Sequence, residues 1–305
     1  MCFSAVAYQD FLRLHREYDA KVDIEAFEEI YGDRMEGVGI KTPKAMDDAA
    51  IRHGGDIAKL VAEWRNRQVA EFEQELFKQV KRLADAERVL KVKETKKALN
   101  DQRIASNKID QLKVRIADLK REESKERDSR IFPNVHSCVI VSEGGKRVVR
   151  PMRYGCRPAG KPAFYDQRFP GTYNARRDSL EGFWKGQFGE THGLLIVDTF
   201  FENVEDEDGK NKVLQFTPSD REPMYVACLW SHWTDPKGKE PELWSFAAIT
   251  DDPEPEVASA GHDRTIINIK PEHVDAWLNP GGDLAKMQAI FDDKRHPFYE
   301  HRLAA

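Results

Sequence analysis

The chain has 305 residues, 40% hydrophobic and 33% charged, which is enough for one large domain or two ordinary ones with a buried core. Its formal net charge of −5 gives no overall attraction to nucleic acid, so any DNA-binding surface must be a local basic patch. Four widely spaced cysteines without a Cys-x-x-Cys pair argue against a zinc cluster or a disulfide scaffold. No apolar run is long enough to span a bilayer. We therefore expect a cytoplasmic protein with no metal, no other cofactor and no membrane partner.

The second residue, Cys2, is a candidate nucleophile. A small residue at this position permits removal of Met1, which would leave Cys2 with an α-amine beside its thiol. Both groups have reference pKa values of roughly 8 to 8.5, and together they can convert an aldehyde into a Schiff base and then into a thiazolidine. Many chains have a small second residue by chance, so Cys2 is informative only if other residues build a site for it.

The pattern of apolar residues in the first segment, residues 1–55, predicts a short strand and two helices. Apolar side chains between residues 3 and 20 are typical of a strand that leads from Cys2 into a helix, and Ile24, Phe27 and Ile30 have helical spacing. The glycines and the proline between residues 37 and 55 interrupt this pattern and predict a loop.

Residues 56–130 are predicted to be a helical insertion, either a hairpin or a coiled coil. From Asp56 to Phe132 the chain has neither Gly nor Pro, and apolar residues recur every three or four positions. The pattern is weakest at Leu99-Asn100-Asp101, where we expect the turn.

The insertion is basic in an otherwise acidic chain, with 11 Lys and 9 Arg against 15 Asp and Glu. It is either a basic arm for nucleic acid or another partner, or a solvated helix surface with ion pairs. The interleaving of both signs favours the second interpretation. The apolar seam also permits self-association or a protein partner through residues 56–130.

In residues 131–305 the sequence pattern changes to one that is typical of β-strands. Strands are predicted on both sides of the turn Glu143-Gly144-Gly145 and again at 194–201, 213–216, 224–230, 243–250 and 266–269. Two helices are predicted at 271–278 and 284–291. Short strands at hairpin spacing indicate a barrel-like or sandwich sheet. The predicted fold class is α+β, an antiparallel barrel-like β core with peripheral helices plus the inserted helical segment.

Three polar stretches of this part contain candidate site residues. Asn174 could orient a sugar or carbonyl oxygen, and Arg176 in the same predicted turn could bind a phosphate. Glu202 closes an apolar strand, and aromatic neighbours can adapt such a carboxylate to acid or base catalysis. His262 directly precedes an apolar strand and could transfer a proton. Each residue alone is as typical of a solvated loop, a strand end or a structural histidine.

The order of these stretches resembles the SRAP family, the SOS response-associated peptidase domain. An N-terminal Cys is followed by Asn-Ala-Arg at 174–176, by aromatic-aromatic-Glu at 200–202 and by His-Asp-Arg at 262–264. Met152-Arg153-Tyr154-Gly155 is similar to the family's Arg-Trp-Gly stretch, and residues 227–233 and 273–280 are similar to two further motifs. The resemblance covers residues 1–30 loosely and 147–280 well.

This resemblance implies a DNA-damage-response protein that senses abasic sites in single-stranded DNA and captures the ring-opened sugar as a thiazolidine. Cys2 would be the cross-linking nucleophile, and Asn174 would position it with the opened sugar. Glu202 would transfer protons during Met1 removal and Schiff-base chemistry, and His262 would assist ring opening. Arg176 would hold a DNA phosphate. The resemblance also implies autoproteolytic and lyase-like activity, and association with the nucleoid when DNA is bound.

The chain departs from the family at its start, where the family usually has Cys-Gly-Arg with that Arg on DNA. Here the third of these residues is Ser4, and we expect Arg177 or Arg153 to replace the missing charge. Tyr154 or Trp184 could stack on bases. Two other functions stay open: a self-processing thiol peptidase that acts on protein, and a non-catalytic scaffold whose helical insertion recruits a partner.

Overall fold

The computed structural model of the protein describes residues 4–205 and 208–304. It contains two compact units, one formed by residues 54–124 and the other by the rest of the described chain. Within the described residues, no helix is long and apolar enough to cross a membrane. Cys2, the predicted nucleophile, lies outside the described residues.

The strands all belong to the larger unit. In chain order they are β1 (Ser4–Ala7), β2 (Lys21–Val22), β3 (Arg130–Ile131), β4 (His136–Glu143), β5 (Lys146–Tyr154), β6 (Asn174–Arg176), β7 (His192–Glu205), β8 (Asn211–Pro218), β9 (Met224–Trp233), β10 (Leu243–Asp251), β11 (Thr265–Ile266) and β12 (Tyr299–Leu303).

Five of these strands close into a barrel in the order β10, β5, β4, β7, β9 and back to β10. Neighbours are antiparallel except β10 and β5, which run parallel with Ser245 opposite Arg153. Inward-facing side chains such as Val139, Leu195 and Phe246 form the main hydrophobic core, as alternation along barrel strands requires. The predicted α+β class and barrel-like core are confirmed, with the difference that one barrel pair is parallel.

Glycines shape this barrel at two places. Gly144 and Gly145 have φ angles of 57° and 77°, the conformation that the two-residue hairpin between β4 and β5 requires. A Cβ at Gly193 would lie 2.9 Å from Cγ1 of Val139. Strands β7 and β4 can therefore approach each other closely because residue 193 has no side chain.

The N-terminal strand lies along the outer part of β7. β1 pairs antiparallel with β7, and Ser4, its first residue, is opposite Phe201. β3 pairs with the other edge of β1, while β8 continues from β7 to β12. This arrangement brings the beginning of the described chain next to the end of β7 that contains Glu202.

The described residues contain α-helices in both units. In chain order they are α1 (Phe11–Tyr18), α2 (Ile24–Glu36), α3 (Lys44–His53), α4 (Gly55–Val92), α5 (Lys96–Lys120), α6 (Tyr165–Arg168), α7 (Pro255–Ser259), α8 (Val274–Leu278) and α9 (Leu284–Asp292).

The first helices begin at acidic caps and include a segment that the sequence pattern assigned to a loop. The side chain of Asp10 accepts the N–H groups of Leu12 and Arg13, which satisfies two donors at the start of α1. The loop predicted over residues 37–55 is wrong for residues 44–53, which form α3. Pro43 directly precedes this helix, a position where proline starts a helix as readily as it breaks one.

The smaller unit is a helical hairpin. Residues 93–95 connect α4 to α5, and the side chain of Thr95 caps α5 by accepting the N–H of Ala98 at 3.2 Å. The turn predicted at residues 99–101 is therefore wrong, because those residues lie inside α5. The cap of Thr95 decides the position of the turn.

Ion pairs cross between the two helices of the hairpin. Arg82 lies 2.6 Å from Asp101, and Lys120 lies 2.8 Å from Glu73. Residues distant in sequence meet in this way because a short connection makes the two helices antiparallel neighbours.

Candidate functional site

Asn174 is held on β6 against the barrel core. The sequence pattern predicted a polar turn here, but residues 174–176 form a strand parallel to β10, with Asn174 opposite Ala248. Ala248 also pairs with Cys228 of β9, so β6 occupies the opposite edge of β10. Paired residues share a sheet face, and Ala248 belongs to the core. The buried amide of Asn174 therefore points to the interior of the barrel end.

Tyr154 orients this amide. Its hydroxyl donates a hydrogen bond to Oδ1 of Asn174 at 3.3 Å, and its ring stacks on Phe246 with centroids 5.1 Å apart. Tyr154 and Trp184 are both buried. Neither ring is accessible to a nucleic-acid base, so the expected stacking role fits neither of them, and Tyr154 acts on the site through Asn174.

Glu202 and His262 form a buried acid and base pair at the same end of the barrel. Glu202 lies on β7 on the same face as the core residues Phe200 and Val204. Its Oε2 is 3.3 Å from Nε2 of His262, and the exposed fractions of the two side chains are 0% and 6%. Residues 60 positions apart in sequence thus meet where water is largely excluded.

The surroundings of His262 favour its neutral form. Burial lowers the pKa of the imidazole, and Nδ1 lies 2.9 Å from the carbonyl oxygen of Arg264. Nδ1 also lies 3.3 Å from the backbone nitrogen of Arg264. Nε2, 3.3 Å from Oε2 of Glu202, is the ring nitrogen that can exchange a proton with this carboxyl group. The pair can accept and release a proton at this position.

Strand pairing places the two groups of site residues on the two sides of β10. Thr250 of β10 pairs with Arg176 of β6 on one side and with Ile266 of β11 on the other, and His262 lies three residues before the start of β11. Neighbouring strands are about 4.8 Å apart, so β6 and β11 are separated by about 10 Å. The structure brings Glu202 to His262 directly and Asn174 to Tyr154, at the same end of β10.

Thr250 is a site residue that the sequence analysis missed. It lies two residues beyond Ala248 on β10 and is buried, and its hydroxyl has no hydrogen-bond partner among residues 4–205 and 208–304. A buried hydroxyl of this kind can bind a polar ligand atom. A lone Thr in an apolar strand gives no sequence signal for such a role.

Arg176 and Arg177 line a surface cleft of about 570 Å³ next to Thr250. Arg176 is 45% exposed and pairs with Asp178 at 3.0 Å. Arg177 contacts Asp251 and Asp292, and these carboxylates raise the pKa of its guanidinium although burial opposes the charged form. Arg177 is thus committed to ion pairs inside the protein, whereas the weak exposed pair of Arg176 can exchange for a phosphate.

Arg153 lies away from the candidate site. Successive residues of a strand point to opposite faces, and Tyr154 is the one that faces Asn174. Arg153 instead contacts Asp166 at 2.6 Å, and Arg157 contacts the same carboxylate at 2.7 Å. The expectation that Arg153 replaces a DNA-contacting arginine therefore finds no support in its surroundings.

Arg130 is a basic residue next to the start of the chain that the sequence analysis also missed. Its Nε and Nη2 donate to Oγ of Ser4 at 3.1 and 2.9 Å, and its guanidinium lies 3.5 Å from the ring centroid of Phe201. No carboxylate of the described chain pairs with it, and burial lowers the pKa of the group. The sequence gives no signal for this role, because Arg130 is one of many charged residues at the end of the helical insertion.

The comparisons with known proteins identify the family. A family model, SOS response associated peptidase (SRAP), matches residues 92–302. The match covers more than half of the chain and includes Asn174, Glu202 and His262, but not Cys2. No match was found among the curated proteins.

Solved structures of low sequence identity resemble part of the chain. A protein from Bacteroides thetaiotaomicron is 16% identical over 58% of this chain and 77% of its own, with a TM-score of 0.49. A protein from Bordetella bronchiseptica is 18% identical over 58% of this chain and 87% of its own, with a TM-score of 0.47. A phage-related protein of the same organism is 16% identical over 57% and 80%, with a TM-score of 0.44.

The chain belongs to the SRAP family. The resemblance inferred from its ordered motifs is confirmed. Family membership indicates a DNA-damage-associated role related to abasic sites, with DNA binding and peptidase or abasic-site processing activity in general.

Proposed function

We propose that the protein captures abasic sites in single-stranded DNA as a covalent thiazolidine on Cys2, after removal of Met1. The observation that carries this proposal is the buried pair of Glu202 and His262, whose Oε2 and Nε2 atoms are 3.3 Å apart. Glu202 lies on β7, the strand that receives the N-terminal strand, and His262 contacts it from the segment between α7 and β11. A pair that transfers protons at this place can serve the reaction of the Cys2 amine with an aldehyde.

Chain connectivity supports this arrangement. Ser4 pairs with Phe201, the residue directly before Glu202, and only Phe3 separates Ser4 from Cys2. Two Cα steps extend at most about 7 Å. A chain of this length permits the amine of Cys2 to reach Glu202.

The proposed chemistry needs no oxidant and no cofactor. Water first hydrolyses the peptide bond between Met1 and Cys2, with Glu202 as the base that accepts a proton from the water. The α-amine of Cys2 then adds to C1 of the ring-opened sugar, and loss of water from the carbinolamine gives a Schiff base. The thiol adds to the same carbon and transfers its proton to the nitrogen. Amine, thiol and aldehyde thus become one thiazolidine and one water.

Glu202, His262 and Asn174 have different roles in these reaction steps. Glu202 donates the proton that leaves with the carbinolamine hydroxyl, and neutral His262 accepts and returns protons at its Nε2. The hydroxyl of Tyr154 fixes the amide of Asn174, which can then orient the opened sugar. A side chain whose rotamer is locked by a neighbour loses less entropy when it binds its substrate.

Two arginines are candidates for the DNA backbone. Arg176 is exposed, but the cleft that it lines also contains Asp178, Glu181, Asp251 and Asp252, which disfavour a phosphate. Arg130 has no carboxylate partner in the described chain and holds Ser4. We assign the phosphate contact near Cys2 to Arg130, which takes the place of the arginine that the family usually has where this chain has Ser4.

The experiment uses Met1-cleaved protein and a single-stranded oligonucleotide whose uracil is converted to an abasic site. A heat-stable protein–DNA adduct is expected with the wild type and none with Cys2→Ala. Cys2→Ser keeps the amine, so it should yield an adduct only after borohydride reduction of the Schiff base. Absence of a wild-type adduct, or an undiminished adduct in Cys2→Ala, would refute the proposal.

Glu202→Gln tests the proton-transfer role with little change in side-chain volume. Loss of a general acid or base slows a reaction by about 100- to 10,000-fold, so cross-linking should slow by that factor. Glu205→Gln, an exposed position on the same strand, is the matched control and should react at the wild-type rate. Equal rates in all three proteins would contradict the assignment, and peptide cleavage without any DNA requirement would favour a thiol peptidase instead.

A further inference from the structure

We propose that the end of the helical hairpin, residues 78–103, is a separate binding surface for the phosphate backbone of nucleic acid. We call this segment the hairpin tip. It consists of the last turns of α4, the connection and the first turns of α5. The proposal concerns intact nucleic acid and does not depend on the reaction of Cys2.

The positive charge of the hairpin is concentrated in the tip. Residues 78–103 contain nine Lys and Arg against four Asp and Glu, whereas the remainder of the 54–124 unit contains eight against nine. The sequence as a whole has a formal charge of −5. The interleaving of charges that favours an ordinary solvated surface therefore describes the other part of the hairpin and not its tip.

Most of the tip lysines have no acidic partner. Arg82 pairs with Asp101 and Arg88 with Asp85. Five exposed lysines have no carboxylate within ion-pair distance anywhere in the described part of the chain: Lys81, Lys91, Lys93, Lys96 and Lys97. Their mutual repulsion is not relieved inside the protein.

Two of these lysines also lower the stability of the helix that contains them. Lys96 and Lys97 lie in the first turn of α5, which has no acidic residue. The positive end of the helix dipole is located there, so a cation in this turn destabilises the helix. Their place in the sequence is thus not explained by the stability of the hairpin, but it is explained by an external anion.

A nucleic-acid backbone fits this surface better than an acidic pocket ligand would. Lys81 and Lys97 line an open groove of about 450 Å³ that also contains Asp85 and Asp101, whereas Lys91, Lys93 and Lys96 do not line it. The carboxylates disfavour a single small anion in this groove, and flexible lysines bind phosphates without base specificity. α4 has 38 residues and is about 57 Å long at 1.5 Å per residue. The tip therefore lies at one end of a long helix. A long polyanion can contact several of its lysines together.

The test measures binding of full-length Cys2→Ala protein to an intact single-stranded oligonucleotide by fluorescence anisotropy between 50 and 200 mM salt. The Cys2→Ala background removes cross-linking, so failure here is distinct from failure of the proposed trap. The tip variant replaces Lys91, Lys93, Lys96 and Lys97 by Gln. The control variant replaces Lys59, Lys108, Lys113 and Lys120 by Gln and removes the same charge elsewhere on the hairpin.

Each released counterion contributes about −0.7 to the slope of log K against log salt for single strands, so the tip variant should lose about 2.8 from this slope. We expect its affinity at 50 mM salt to fall at least tenfold and the control to fall less than twofold. Equal affinities of the tip variant and the parent would overturn the proposal. So would equal losses in both variants, or tip-dependent binding to phosphatidylserine vesicles but not to DNA.

Discussion

Mild acid should destabilise the β-rich unit because it contains buried histidines in the neutral form, of which His192 and His136 have the large pKa shifts. His192 is the clearer case. Its Nδ1 lies 3.0 Å from the carbonyl of Trp277, its Nε2 accepts the N–H of Gly189 at 2.8 Å, and its ring stacks on Trp277. A proton on Nε2 would remove that acceptor, and burial lowers the pKa of His192 to about 3. Burial, with a smaller effect of Arg153, lowers the pKa of His136 to about 4.

The sign of the effect follows from these shifts. Both folded-state pKa values are below the unfolded value of about 6.5, so the unfolded chain binds more protons between these values and the free energy of unfolding falls as the pH falls. Each histidine contributes about 1.4 kcal/mol per pH unit in this window. Half of the unfolded-state imidazole is already protonated at pH 6.5, so between pH 6.5 and pH 5 the loss is about 1.6 kcal/mol for each and about 3 kcal/mol for both.

Urea unfolding followed by tryptophan fluorescence at pH 6.5, 5.75 and 5 measures this loss. Carboxylates titrate mainly below this range, and comparison with His192→Gln and His136→Gln separates the histidine contribution from theirs. Each variant should lose about 1.6 kcal/mol of the pH dependence between pH 6.5 and 5, whatever its own stability at pH 6.5. A free energy of unfolding that stays constant from pH 6.5 to 5, or variants with the wild-type slope, would refute the reasoning.

Three further outcomes follow from the structure. Gly193→Ala should lower the free energy of unfolding by about 1 to 3 kcal/mol through overpacking against Val139, measured by urea unfolding, while Gly186→Ala, with open space at its Cβ, should not. Arg130→Gln should weaken binding of abasic single-stranded DNA about tenfold, as expected for loss of one charged phosphate contact; a larger loss in Arg176→Gln would reverse the assignment. Iodoacetamide at pH 8 should leave three thiols of the native protein unmodified, as read by intact mass, since burial raises the pKa of each, and alkylation of any of them would contradict this. These thiols belong to Cys138, Cys156 and Cys228.

The longer strands and the long helices could be predicted from the periodicity of their apolar residues, because these residues are the ones that face the core or the partner helix. Two errors occurred where a local feature decides the structure, and a third at residues 174–176, where pairing with the distant strand β10 makes a strand of a predicted turn. The hairpin turns at residues 93–95 because Thr95 caps α5, although the apolar pattern is weaker at 99–101. α3 follows Pro43 directly, and proline and glycine at its ends concealed a helix of ordinary length.

The site was predictable as a set of residue types but not as an arrangement. Glu202 and His262 meet as the ordered motifs suggest, since both come from segments at the end of the barrel. The sequence could not show that Tyr154 faces Asn174 while Arg153 faces the other side, because the register of β5 decides this. It could not show Arg130 at Ser4 either, because that contact joins residues 126 positions apart.

The central claim is that Cys2 is the nucleophile of a covalent DNA trap, and the mass of the adduct tests it most directly. The account predicts that abasic single-stranded DNA and the Met1-cleaved protein give one heat-stable species. Its mass should equal the sum of the two minus one water, and peptide mapping should locate the modification at Cys2. A purified protein that retains Met1, an adduct located at another residue, or no adduct at all would contradict it.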